Sequence, residues 1–292
     1  EASPDPVATF MGSQPPTSIS VTNLQVVVSY TIAADDTEGD LVFSVVALDV
    51  AQNKAAAVTF FTGGKFVIID RTAPVIVSAV ADKVFAKAGV TVTMTFVYTD
   101  EYSGAILGSP LPTATVFGAT AGVSVSVDRL TVVVQYVVQA DATEGEIDFD
   151  VVAADLAGND ADSVTALDAS LTIDRTPPSA TSVTSNREYA AAGDKITLTI
   201  EYDDDSGGVL SNPVATVLGD TPQVSVSDLT VTVHYTVTDA DPEGTVAFSV
   251  LASDLAGNPA STPVTALTGG GILDVDHTPP TLVTCTPDVT HA

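Results

Sequence analysis

Basic residues are scarce in this 292-residue chain. Nine Lys and Arg residues stand against 37 Asp and Glu residues, the net charge is −28, and no basic residue follows Lys195. Because such a chain repels phosphate groups, we expect it to bind neither nucleic acid nor anionic membrane surfaces. The charge alone is also compatible with a solubility role, so only the clustering of the acids, described below, indicates a site.

Cysteine and histidine are also rare. Cys285 is the single cysteine, which excludes an intrachain disulfide framework. The three histidines lack ligand spacing, which argues against a zinc site. The sequence has no apolar run that would span a bilayer and no signal-like start, so we expect a soluble or already processed segment.

Tryptophan is absent, and the helix-favouring residues Lys, Arg and Glu are few, whereas Thr, Val, Ala and Ser are abundant. Residues of the second group, Val and Thr above all, fit pleated sheets better than helices. The composition therefore predicts an all-β fold.

Two short motifs occur three times each. One is an acidic turn with the sequence Asp155-Leu156-Ala157-Gly158-Asn159, and the other is a linker, Asp174-Arg175-Thr176-Pro177-Pro178, which follows about one strand later. The other copies are the turns 49–53 and 254–258 and the linkers 70–74 and 276–280. Successive linkers are about 100 residues apart, the size of a small β domain. We predict a partial repeat at 1–70 that lacks its first strands, complete repeats at 71–174 and 175–276, and the start of a fourth repeat at 277–292.

Each repeat contains segments in which apolar and polar residues alternate. One ends in a tyrosine, as in Leu130, Val132, Val134 and Tyr136. This period of two predicts half-buried strands, with the tyrosine in the core. About seven strands per repeat predict a two-sheet sandwich, immunoglobulin-like in architecture only because the Cys-Trp-Cys pattern is missing. The fold class we predict is a tandem array of Ig-like seven-stranded β-sandwich repeats arranged as an extended rod.

The acids of sequence-distant loops are expected to meet where one repeat joins the next. In this topology the loop after the second strand and the loop before the last strand lie at the end where the linker enters. The predicted sets are Asp35, Asp36, Glu38, Asp70, Asp100, Glu101, Asp155 and Asn159 at the first joint, and Asp141, Glu144, Asp174, Asp203, Asp204, Asp205, Asp254 and Asn258 at the second. Asp276 begins a third joint.

Crowded carboxylates repel each other by about 1 to 4 kcal/mol per pair. Arg71 and Arg175 are the only basic residues repeated at the joints, and His277 takes that position at the third. Protonation would require raised pKa values throughout. A hard divalent cation is the remaining choice, and Asp, Asn and carbonyl oxygens are ligands that calcium prefers. The alternative is that these residues only form Asx turns.

The pairing of D-x-A-G-N with D-x-T-P-P resembles the bacterial immunoglobulin-like repeats of large surface adhesins, and it is similar to hyalin-type repeats of extracellular proteins. The resemblance implies joints stiffened by calcium. It assigns the ion to linker residues Asp70, Asp174 and Asp276 and to turn residues Asp49, Asp155 and Asp254. The first turn departs from the motif, with Gln52 in place of glycine and Lys54 after Asn53.

We expect a non-enzymatic, secreted or cell-surface structural protein, such as a stalk or filament subunit. Its acids recur in every copy at turns, whereas an active site normally needs one asymmetric pocket. The alternative is an adhesin whose loops bind a cell-surface ligand, with residues 101–107 as the nearest candidate loop. The glycine pairs at 63–64 and 269–270 are expected to form bends in the last strand.

The expected partners are neighbouring repeats or subunits of the same protein. The first repeat lacks its opening strands, and the strand-like segment 281–286 at the other end can in principle complete another copy by strand addition. That segment is too short to replace both missing strands, which favours a piece of a longer covalent array.

Overall fold

The computed structural model describes residues 5–23, 25–64, 66–102, 111–126, 129–204 and 210–286. Across these residues the secondary structure consists of strands and one 3-10 turn. No helix in this part of the chain has the length and hydropathy that crossing a bilayer requires. The predicted all-β fold is confirmed.

The strands are numbered in chain order. Those of the first repeat are β1 (Val7–Phe10), β2 (Ser18–Thr22), β3 (Gln25–Ser29), β4 (Gly39–Asp40), β5 (Phe43–Val46) and β6 (Ile68–Ile69). Those of the second are β7 (Val75–Ala81), β8 (Phe85–Ala86), β9 (Thr91–Thr99), β10 (Thr113–Val116), β11 (Ala119–Thr120), β12 (Gly122–Val125), β13 (Thr131–Val137), β14 (Gly145–Glu146), β15 (Phe149–Val152) and β16 (Thr172–Ile173). Those of the third are β17 (Ser179–Ser185), β18 (Tyr189–Ala190), β19 (Lys195–Asp203), β20 (Leu210–Val217), β21 (Gln223–Ser227), β22 (Thr230–Thr236), β23 (Gly244–Thr245), β24 (Phe248–Asp254) and β25 (Asp274–Val275).

The chain packs as two compact units. Unit 1 comprises Glu1–Asp82, Thr93–Tyr136 and Asp148–Ala169, and unit 2 comprises Lys83–Val92, Val137–Ile147 and Ser170–Ala292. These units divide the chain at other positions than the linkers, so the repeat bounds 1–70, 71–174, 175–276 and 277–292 stay a prediction.

Alternation along the strands places the core as the sequence predicts. In β9 the inward residues Val92, Met94, Phe96 and Tyr98 are at most 2% exposed, while the residues between them face outward. Val132 and Val134 of β13 are equally buried. A period of two therefore indicates the buried face correctly.

Unit 1 contains two sheets of the second repeat. One has the strand order β12-β13-β9-β7, and the other has the order β11-β10-β15. Phe96 on β9 and Phe149 on β15 bring their ring centroids to 5.7 Å, so the two sheets face each other across a shared core. The order of the four-stranded sheet is that of the A-B-E-D sheet of an immunoglobulin sandwich.

Unit 2 contains the corresponding four-stranded sheet of the third repeat, in the order β17-β19-β22-β21. Its core cluster joins Leu198 and Ile200 of β19 to Val250 of β24. The short strands β8 and β16 pair in parallel, as do β18 and β25. The last strand of a repeat therefore also pairs with a piece of its beginning.

The prediction for the two glycine pairs was wrong in position. Gly63 and Gly64 lie in a turn before β6, and Gly269 and Gly270 lie in a 3-10 turn, Thr268–Gly270, before β25. All four have positive φ. The last strands are only two residues long, and an irregular segment precedes each of them.

Candidate metal centre

Among the described residues, two groups of three aspartates bring their carboxylates together, one in each unit. The first trio is Asp70, Asp100 and Asp155, and the second trio is Asp174, Asp204 and Asp254. Within each trio, one carboxylate oxygen from every residue lies within 4.8 Å of the others. Each trio takes one aspartate from a linker, one from the end of the second long strand of a repeat and one from the acidic turn, as the topology predicts.

The turn aspartates fold back on their own turns. The Asp155 Oδ1 atom accepts hydrogen bonds from the backbone N–H groups of Gly158 and Asn159, at 2.7 and 2.9 Å. The Asn159 side-chain amide donates to Asp155 Oδ2 at 2.7 Å and to the backbone oxygen of Asp70 at 3.2 Å. The Asn159 amide therefore binds the turn to the linker, while the Asp155 carboxylate lies near the Asp70 carboxylate.

The same contacts recur in the second trio. The Asn258 side-chain amide donates to Asp254 Oδ2 at 2.8 Å and to the backbone oxygen of Asp174 at 3.0 Å. Asp174 and Asp254 are completely buried, and Asn258 is 7% exposed. The predicted Asx turns are thus present, and they supply carboxylates to the trios at the same time.

Asp174 is the most constrained acid of the second trio. Its Oδ1 atom accepts a hydrogen bond from Thr176 N at 3.0 Å, whereas its Oδ2 atom is buried and has no hydrogen-bond partner among the described residues. Burial, reinforced by the negative charge of Asp254 and then of Asp204, raises the pKa of Asp174 to about 6. A buried carboxylate oxygen without a donor is costly unless a cation or a proton satisfies it.

The charge balance of a trio favours a bound cation. At 4.8 Å, two carboxylates repel by about 3 kcal/mol at an effective dielectric constant of about 20. Each trio offers only oxygen donors, with neither a histidine nor a cysteine among its three residues. Oxygen donors of this kind suit a hard divalent ion such as calcium and are a poor match for zinc. The acidic clusters are therefore able to hold a metal ion.

Two of the glutamates expected at the joints, Glu38 and Glu144, lie outside the trios and bind the linkers instead. Glu144 accepts hydrogen bonds from the Arg175 backbone N–H at 2.8 Å and from the Thr176 hydroxyl at 2.9 Å, and these contacts lower its pKa. Glu38 makes the same pair of contacts with Arg71 and Thr72. These glutamates fix the linker without an ion.

Asp36 also has a local role. Its carboxylate accepts hydrogen bonds from the Tyr30 hydroxyl at 2.6 Å and from the backbone N–H of Ala33 at 2.7 Å. The Tyr30 hydrogen bond is the main reason that the pKa of Asp36 is lowered. Tyr235 and Asp241 form the same pair in the third repeat, at 2.8 Å.

The remaining predicted ligands are placed as follows. Exposed positions are occupied by Asp35, Glu101, Asp141, Asp203 and Asp276. Asp205 lies outside the described residues, as do residues 103–107 of the candidate ligand-binding loop. Asp204 supplies the strand-end carboxylate of the second trio. Because Tyr202 aligns with Tyr98, Asp204 aligns with Asp100, and this repeat offset was the signal that singles it out from its neighbours.

Basic side chains near the joints are directed to backbone oxygens. The guanidinium groups of Arg71 and Arg175 donate to the carbonyls of Ala34 and Ala140. Lys87, which lies outside both repeated motifs, donates its Nζ group to the carbonyl of Gly257 in the third acidic turn. The first acidic turn is formed without a trio among the described residues, with Asn53 donating to an exposed Asp49 at 2.8 Å.

No protein-family model matches the chain, and no curated protein matches it. Solved structures similar to it include the Escherichia coli adhesin FdeC (14% identity, TM-score 0.37, 94% of this chain and 86% of that one). A second is from a 1.5-MDa bacterial ice-binding adhesin (16% identity, TM-score 0.41, 94% and 88%). A third is the ectodomain of mouse nectin-like molecule 4, Ig1 to Ig3 (13% identity, TM-score 0.31, 96% and 92%). These neighbours are adhesins and Ig-like domains. The TM-scores are low, so we assign the fold from the strand pairing described above.

Proposed function

We propose that this chain is a non-enzymatic, extracellular structural segment in which calcium ions at the joints hold successive Ig-like repeats in a fixed orientation, as in a stalk or filament subunit. The observation that best supports calcium is Asp174. This residue is completely buried beside two further aspartates, and its Oδ2 atom has no hydrogen-bond partner among the described residues.

Each trio joins parts of the chain that are distant in sequence. The second trio takes Asp174 from a linker and Asp204 and Asp254 from the repeat that follows it. A cation shared by these carboxylates ties the linker to the next repeat, so bending at that point requires loss of metal–oxygen contacts. Calcium takes six to eight oxygen ligands with flexible geometry, which suits loops that also provide carbonyl oxygens and water. We therefore expect the joint to be stiff with calcium and loose without it.

We test this proposal by treating the 292-residue chain with a chelator, removing the chelator, and titrating the metal-free protein with calcium in a calorimeter. We expect two binding events, one lost in Asp70→Asn and the other lost in Asp174→Asn. Asp203→Asn is the matched control, because Asp203 is exposed and outside the trio. Saturation at about 100 times Kd stabilises a repeat by about 2.7 kcal/mol. The absence of binding heat, together with a melting temperature that chelation leaves unchanged, would contradict the proposal.

The stiffening itself needs a separate measurement. Small-angle X-ray scattering of the same protein with calcium and with chelator should give a broader distribution of interatomic distances after chelation. The double variant of Asp70→Asn and Asp174→Asn should give the broad distribution in both buffers. Identical curves for the parent chain in the two buffers would leave calcium binding without a mechanical role.

A further inference from the structure

Lys87 belongs to the second repeat, and its side chain reaches the third repeat. It follows β8, which pairs in parallel with β16, the strand that ends directly before the linker. Lys87 therefore lies beside the linker residue Asp174, whose backbone N–H donates to Ala86 O at 3.0 Å. From this position the Nζ atom of Lys87 donates to the carbonyl of Gly257, in the acidic turn 254–258.

The backbone around Lys87 is fixed within the second repeat. Val90 N donates to Lys87 O at 3.2 Å, and Gly89 N donates to Val138 O at 2.8 Å. Gly89 has a φ of 81°, which suits the tight turn after β8. Because Lys87 is also half-buried, its charged end extends toward the third repeat from a defined backbone position.

The contact with the acidic turn involves the lysine stem as well as its charged end. A Cβ atom built on Gly257 would lie 3.6 Å from Lys87 Nζ and 3.8 Å from Lys87 Cε. The end of the lysine side chain thus packs directly over the glycine whose carbonyl it binds. Hydrogen bonds from a charged donor are about twice as strong as those between neutral groups.

These contacts complete a closed path of hydrogen bonds around the second joint. The Asp174 backbone N–H is bound to Ala86, and the Asp174 carbonyl is bound to the side-chain amide of Asn258. Lys87 closes the path at Gly257, the residue before Asn258. The acidic turn therefore cannot move away from the second repeat unless the Lys87 hydrogen bond breaks, and none of these contacts involves a metal ion.

The lysine is not required for the fold of its own repeat. The third repeat has the same local arrangement, in which β18 pairs in parallel with β25 and Asp276 N donates to Ala190 O at 3.0 Å. Ala191 occupies the position of Lys87 there, and an Ala-Gly pair follows in both repeats. Because alanine is compatible with the same local structure, what Lys87 adds is its contact with the neighbouring repeat.

We propose that Lys87 is a positioning residue of the second joint, which holds the third acidic turn against the second repeat when no metal ion is bound. The contact keeps Asp254 close to Asp174, although their carboxylates repel each other. The restraint itself needs no ion. Its consequence for the metal centre rests on the proposed function: a cation meets carboxylates that are already together, which lowers the cost of binding.

The test is a distance measurement between two spin labels by pulsed electron–electron double resonance. The intact chain carries Cys285→Ser to remove the native thiol, and labels are attached at Glu146→Cys in the second repeat and Ser225→Cys in the third, both exposed positions. In chelator, Lys87→Met should raise the population of distances outside the main peak of the parent about tenfold, because a hydrogen bond from a charged donor is lost. Lys195→Met, which removes an exposed lysine from β19, is the matched control and should leave the distribution unchanged.

Calcium distinguishes the role of Lys87 from the proposed metal centre. In calcium, Lys87→Met should regain the distribution of the parent, because a shared cation holds the carboxylates together. Equal distributions for the parent and Lys87→Met in chelator, or the same broadening in Lys195→Met, would overturn the proposal. Broadening in Lys87→Met that calcium does not reverse would count against the proposed function and would still support the positioning role.

Discussion

Replacing Asp174 by asparagine should have opposite effects on the metal-free and the calcium-bound protein. In the metal-free protein, the buried Oδ2 atom has no hydrogen-bond partner among the described residues and lies near the carboxylates of Asp204 and Asp254. The asparagine keeps the Oδ1 atom that accepts from Thr176 N, and it places an amide donor beside two carboxylates. We therefore expect Asp174→Asn to stabilise the metal-free protein and to remove the stabilisation by calcium at this joint.

The size of the effect follows from the pKa. Burial and the neighbouring acids raise the pKa of Asp174 from 3.8 to about 6, which corresponds to at most about 3 kcal/mol at pH 7 and, after solvent screening, to about 1 to 2 kcal/mol. For a repeat of about 100 residues this is a rise in Tm of about 5 to 10 °C. Differential scanning calorimetry in chelator and in calcium measures both effects.

The pH dependence of the stability tests whether the Asp174 carboxylate destabilises the metal-free protein. Because the folded pKa of Asp174 lies above its unfolded value, the metal-free protein binds a proton more readily when folded, and this term makes it more stable as the pH falls from 7 through 6. Asp174→Asn should lack that gain, while Asp203→Asn should keep it. A lower metal-free Tm for Asp174→Asn, or an undiminished calcium effect, would refute the reasoning.

Three further changes test the joints and turns. Glu144→Gln should lower the free energy of unfolding by about 1 to 2 kcal/mol in both calcium and chelator, because the acceptor of the hydrogen bonds from Arg175 and Thr176 loses its charge. Urea denaturation measures this loss, and the control Glu146→Gln, at an exposed position, should not show it. Tyr30→Phe should destabilise the protein at pH 7 and progressively less as the pH falls below about 4, because the lowered pKa of Asp36 depends mainly on the Tyr30 hydroxyl. The control is Tyr136→Phe, because the residue that aligns with Asp36 in that repeat is Ala142. Denaturation measured over a series of pH values should show no such pH dependence for the control. Gly145→Ala should lower the free energy of unfolding by about 1 to 3 kcal/mol, because Gly145 has a φ of 107°. The control is Gly122→Ala, where the new Cβ meets only Gln135 O at 3.7 Å. An equal loss of stability in the control would contradict this explanation.

The sequence predicts the sandwich because its two signals agree. Alternation at positions such as Val132 and Val134 specifies the buried face, and the repeated turns specify where strands end. Both signals are local, and the burial of these two valines confirms the first of them. The glycine pair at 269–270 was misplaced because a glycine marks a change of backbone direction without showing whether a strand has already begun.

The candidate site is predictable only in outline. The meeting of a linker, a strand end and an acidic turn follows from topology, but the choice among neighbouring acids depends on strand phase. Asp204 enters the second trio and Asp203 does not, because Asp203 still lies on β19 and faces solvent. Glu144 was indistinguishable from a ligand in sequence, since its hydrogen bonds to Arg175 and Thr176 involve residues far along the chain.

The division of each trio between a linker and the repeat that follows has an evolutionary consequence. A repeat brings the receiving acids at its entrance and the next linker aspartate at its exit, as Asp204, Asp254 and Asp276 do in the third repeat. If one such repeat is duplicated or deleted in the gene, each remaining linker aspartate still meets the strand-end and turn aspartates of the repeat that follows it. The number of repeats can therefore change during evolution without any change in the residues that form the joints.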